Sequence, residues 1–156
     1  MKHTLDLARR AALTSSGSAG IERILEDSFR GEPDIDGLAA ATDETVQVLV
    51  WNYHDDIAPA APASVQLTVE MPGPSGSRAR VTHYRIDGTH SNAYTRWLSL
   101  NSPQQPTLAV MAELRAAAEL ELLEPIRFSD VADGQLRLDF ELPRHGVSLI
   151  ELRCVP

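Results

Sequence analysis

Cys154 is the only cysteine in 156 residues, so no disulfide closes within the chain. A disulfide-built secreted scaffold is thereby excluded, and a reducing cytoplasm is the expected setting. Basic residues are also scarce: 14 Lys and Arg face 22 Asp and Glu, for a formal net charge of -8. A phosphate backbone or an anionic bilayer is repelled by such a surface, so neither nucleic acid nor membrane is an expected partner. Long apolar runs are missing as well. Val48-Leu49-Val50-Trp51 falls far short of the ~20 residues that span a bilayer, and the first residues carry charges where a signal peptide keeps about 7–15 apolar ones. There is no Gly-x-Gly-x-x-Gly, no phosphate-binding loop and no Gly-x-Ser-x-Gly elbow around Ser91, so no cofactor is expected.

What is present reads as a single packed unit, because 43% hydrophobic content in a chain of this length supports one core. Val46, Val48 and Val50 alternate with Thr45, Gln47 and Leu49. Val65, Leu67 and Val69 do the same, as do Leu136, Leu138, Phe140 and Leu142. That period of two marks strands with one buried face. Residues 10–16, 78–87, 126–131 and 147–152 add further strands, and Pro/Gly-rich breaks at 58–62, 72–76 and 143–146 separate them. The expected fold is mainly β, an antiparallel β-sandwich of about seven to eight strands. Ile21, Ile24, Leu25 and Phe29 suggest a short helix near the start. One amphipathic helix is predicted over about 107–123, with Thr107 as its cap and Leu108, Met111, Leu114, Ala118 and Leu122 on one stripe. Before it lies a long irregular excursion from the end of the strand at 78–87.

Three constellations invite chemistry. Trp51-Asn52-Tyr53-His54-Asp55-Asp56 ends the strongest strand; Trp51 and Tyr53, with Trp97, would serve as stacking platforms for a sugar. A metal-dependent hydrolase would draw on His54, Asp55, His83 and His90, but adjacent Asp residues on an extended chain point to opposite faces, and no metal set is expected. The carboxylates Asp87, Asp130, Asp133, Asp139, Glu141 and Glu151 read as solvated surface charge, so no catalytic residue is assigned. The third is the excursion itself. His90, Asn92, Tyr94 and Trp97 read as an anchor against another domain or subunit, since Tyr and Trp favour such interfaces.

The ordered motifs at 48–56, His83-Tyr84-Arg85-Ile86-Asp87, His90-Ser91-Asn92-Ala93-Tyr94 with Trp97, and Ser102-Pro103-Gln104 with Pro106-Thr107 resemble the C-terminal part of glycoside hydrolase family thirty-nine β-xylosidases. Arg30-Gly31 and Pro33-Asp34-Ile35-Asp36 extend the resemblance, which runs from about Arg9 to the end. It implies a parent enzyme that joins a (β/α)8 barrel to a β-sandwich and cleaves terminal xylose with retention, using two glutamates. A barrel takes about 250 residues. This chain cannot hold one, and neither family glutamate has a matching position here. The resemblance therefore implies residues 31–156 as an accessory β-sandwich and 1–30 as an N-terminal segment, the end of the barrel plus a first strand. Met1–Ala8 reads either as a remnant of the last barrel helix or as a new start. The partners implied are the missing catalytic barrel, a second subunit in a homo-oligomer and, more weakly, a xylo-oligosaccharide.

Overall fold

A computed structural model describes residues 9–27, 32–72 and 76–155. The readings of Met1–Ala8, Phe29, Arg30-Gly31 and the middle of the break at 72–76 lie outside the described residues. In chain order the elements are β1 (Arg9–Ala11), α1 (Ile21–Asp27), β2 (Asp34–Ala41), β3 (Thr45–Tyr53), β4 (Ala63–Glu70), β5 (Arg78–Ile86), α2 (Ala93–Ser99), α3 (Leu108–Ala117), β6 (Glu121–Leu122), β7 (Arg127–Asp130), β8 (Gln135–Leu142) and β9 (Val147–Val155).

The strands form two antiparallel sheets of unequal width. Seven lie in one sheet, ordered β1-β2-β3-β9-β5-β6 with β7 also on β5, and only β4 and β8 form the other. The alternation in the sequence explains how the two close. Val46, Val48 and Val50 stand opposite Leu152, Ile150 and Ser148 in register, so all six point to one face. Val81 joins them beside Leu152, and Val65, Val69, Leu136, Leu138 and Leu142 cover them from the narrow sheet. Ile150, Leu152 and Leu142 are fully buried. Each such side chain removed from water contributes about 1.5–3 kcal/mol, which is what binds the layers.

Turns are written into the sequence where the chain reverses. Asp133 and Gly134 both have positive φ, and Ala132 and Gln135 exchange hydrogen bonds of 3.0 and 2.8 Å around them, the two-residue hairpin that Asp-Gly favours. Gly37 has a different reason to be glycine: a Cβ there would lie 2.5 Å from the Leu49 carbonyl oxygen across the ladder.

Three expectations need correction. The helix predicted over about 107–123 stops at Ala117, because Leu122 leaves the helical stripe to pair with Tyr84 as part of β6. The excursion is also not wholly irregular, since α2 occupies its middle. The strand read at 10–16 is shorter, pairing only through Arg9–Ala11.

Candidate functional site

The chain leaves β5 through a turn organised by one carboxylate. Asp87 accepts hydrogen bonds from the Thr89 and His90 backbone N–H groups at 2.7 and 2.9 Å and from the Thr89 hydroxyl at 2.9 Å. His90 Nδ1 lies 3.1 Å and Arg85 Nη1 3.5 Å from its two oxygens. Burial pushes this carboxyl up, but the bonds from Thr89 and His90 outweigh burial and bring its pKa down to about 2. Ser91, at φ 51°, donates to the Arg85 carbonyl and accepts from Glu121 N–H, tying the two ends of the excursion together.

From that turn rises a helical hairpin. Asn92 donates to the Asp87 carbonyl at 2.7 Å and caps α2 by accepting from Thr95 N–H at 3.0 Å. Tyr94 stacks on Trp97 with ring centres 5.8 Å apart, and the Trp97 indole donates to the Pro103 carbonyl at 3.1 Å. Thr107 caps α3, and Arg96 pairs with Glu113 to join the two helices. Neither helix buries a single residue. Tyr94, Leu98 and Leu108 are 65%, 47% and 90% exposed. So of the four residues expected to anchor the excursion, His90 and Asn92 shape its base, while Tyr94 and Trp97 form an aromatic pair on the hairpin.

The hairpin is inserted between β5 and β6, two strands that carry part of a second apolar surface. On the outer face of the wide sheet, Leu38, Leu49, Leu149, Tyr84 and Leu122 stand side by side in register across five strands. Trp51, Val147 and Ile86 form the neighbouring row. All are half-buried or exposed, and none belongs to the core. Trp51 and Tyr53 share this face at alternate positions of β3; the Tyr53 hydroxyl donates to Asp55 at 2.5 Å, and that bond raises the phenol's pKa. Trp97 belongs to the hairpin instead.

A cluster that sequence reading missed lies on the inner face. The Ser148 hydroxyl is 2.9 Å from His83 Nε2 and accepts from Arg85 Nε at 3.1 Å; Arg85 Nη2 donates to the Glu141 carbonyl at 2.9 Å. His83 Nδ1 is 4.0 Å from Glu124, so serine, histidine and carboxylate stand in the order of a hydrolytic triad. Access decides against that use. Ser148 is 0% exposed, Arg85 occupies its oxygen, and Phe140 meets the His83 ring edge-on at 4.9 Å. Burial and the neighbouring Arg85 cation push His83 down to about 4, against the pull of Glu124. One signal was available: His83 and Arg85 share the inward phase of Ala79 and Val81 on β5.

The histidines proposed as ligands occupy separate settings. His54, at the end of β3, is buried, and its Nδ1 accepts from Asp56 N–H at 3.3 Å; His83 meets Ser148, and His90 meets Asp87. Among the described residues no three His, Cys, Asp or Glu side chains converge as a metal site, and no helix is long and apolar enough to cross a membrane.

No family model and no curated protein matches the sequence. Solved structures do match the fold. The GH39 enzyme from Xanthomonas axonopodis pv. citri superposes with a TM-score of 0.64 at 16% identity, over 81% of this chain and 28% of that one. A monomeric β-xylosidase from Caulobacter crescentus CB15 gives 0.60 at 19%, over 82% and 29%. A bacterial orthologue of human α-L-iduronidase gives 0.59 at 26%, over 80% and 22%. The chain spans less than a third of each of these proteins, and it has the fold of that portion of glycoside hydrolase family 39 structures.

Proposed function

We propose that this chain is a non-catalytic accessory β-sandwich of a β-xylosidase-like glycoside hydrolase, bracing a catalytic barrel and contributing to subunit contacts. The observation that carries this reading is the helical hairpin: two helices without a fully buried residue, with Tyr94, Leu98 and Leu108 exposed, follow directly on the end of β5, whose outer face carries Tyr84 and Ile86. Exposed apolar side chains gathered in this way support a docking role. The chemistry agrees, because the triad-like arrangement among the described residues has its serine fully buried and bonded to Arg85. The parent's reaction, by this reading, is retaining cleavage of terminal xylose. A chromogenic xyloside assay on rigorously pure protein tests it: no turnover is expected, and turnover that co-purifies with the chain would overturn it.

A second reading, a carbohydrate-binding module, is favoured by Trp51 and Tyr53 sharing the outer face of β3, with Tyr53 37% exposed. Titrating xylo-oligosaccharide while following tryptophan fluorescence separates the two. A flat response to about millimolar sugar removes the module, and a saturating one replaces the accessory reading.

A further inference from the structure

The narrow sheet leaves one edge open over an apolar cleft. Met71 N–H donates to the Gly134 carbonyl in register, and Gln135 turns its own N–H and C=O away from β4 toward Ala132. Both facts fix the phase of the ladder: Val65, Leu67 and Val69 spend their main-chain groups on β8, so Ser64, Gln66, Thr68 and Glu70 direct theirs outward. Among the described residues no strand pairs with that edge.

Beneath the edge lies a cleft of about 720 Å³. Its floor is the inner face of β2 and β3, including Ala39, Ala41, Val46 and Val48, and residues 11–17 form the far wall. Natural edges are usually blunted by Lys, Pro or inward charge. The outward side chains of β8 follow that rule with Arg137, Asp139 and Glu141, whereas β4 offers Ser64, Gln66 and Thr68 before Glu70.

We infer that the free edge of β4 accepts an extended polypeptide segment as a further strand, with apolar side chains at alternate positions filling the cleft. Main-chain amides spaced along an extended segment are the groups that match outward N–H and C=O pairs at every second residue. The small side chains of the floor leave room for the segment's apolar ones. A second copy pairing β4 against β4 would satisfy the edge but leave the cleft empty, because the inward side chains of β4 already pack into the core. The source of the segment rests on the accessory reading: the remaining polypeptide of a longer protein, as in structures of which this fold makes up less than a third.

The test needs no glycosidase. A short capped peptide alternating threonine and valine between two terminal lysines is added to the full chain, and hydrogen exchange at the Gln66 and Thr68 amides is followed by NMR. About tenfold slowing at both near millimolar peptide is expected, with no slowing by an analogue N-methylated at alternate amides. Thr68→Pro removes one outward N–H and should leave the melting temperature nearly unchanged while abolishing protection at Gln66. The N-methylated arm stands even if that variant fails to fold. Fast exchange that persists with peptide, equal protection by the methylated analogue, or amides already protected in the chain alone would overturn the inference, as would protection that grows with chain concentration without peptide. Xyloside turnover would sink the accessory reading without touching this edge.

Discussion

The sandwich core and the helical hairpin are built by opposite rules. In β3 from Val46 to Asn52 and in β9 from Ser148 to Leu152 every second side chain is sealed, down to 0% exposure at Ile150 and Leu152, whereas α2 and α3 hold themselves up by caps, a ring stack and an ion pair. The centre of the core is closed by the chain's own strands. The hairpin keeps its shape through local polar contacts and leaves its apolar side chains unspent, which is how a fold prepares a surface for something else.

Substitutions can sharpen that contrast. Leu152→Ala should cost about 4 kcal/mol in urea unfolding, since it opens a cavity between both sheets; a loss under about 1 kcal/mol would mean that the core is looser than its burial implies. Arg85→Met should cost about 3 kcal/mol by leaving the buried Asp87 without its cation and the Glu141 carbonyl without its donor.

Acid should act on the same strand end. His83 has a folded pKa of about 4 against 6.5 in the unfolded chain, so the unfolded state binds more protons between these values. Its contribution is whole above about pH 6.5 and is lost as pH falls toward 4. Asp87, lowered from 3.8 to about 2, extends the loss from about pH 3.8 downward. Together they should remove on the order of 2 kcal/mol or more, and His83→Gln should flatten the upper limb of a melting-temperature profile while leaving the lower one. The smallest effect belongs to the hairpin. Tyr94→Ser should change stability by less than about 0.5 kcal/mol, and a large loss there would show that the hairpin is part of the fold's own economy.

Much of the sandwich was legible because alternation is a local signal: Val46 to Val50, Val65 to Val69 and Leu136 to Leu142 each announce a strand and its face. β2 was not, since Asp-Ile-Asp-Gly-Leu-Ala-Ala-Ala has no apolar alternation and is held by pairing with β3. Leu122 misled for a related reason; it fits the helical stripe, but its partner Tyr84 lies far back in the chain. The inner polar cluster was hidden by distance, as Arg85 and Ser148 are 63 residues apart. His90, Asn92, Tyr94 and Trp97 were found as a group because they are neighbours in sequence, while the division between base and exposed pair emerged only from their hydrogen bonds.

The position of β9 has a consequence for how the chain is made. It is the last described strand in sequence, yet it lies between β3 and β5 near the middle of the wide sheet, pairing Thr45 with Arg153. During synthesis the ribosome therefore releases β1–β3 and β5 as two ribbons with open facing edges, and neither can join the other until β9 emerges. A premature stop after Gly146 would remove the strand that closes the sheet, and folding should be slow, dominated by contacts of long sequence separation.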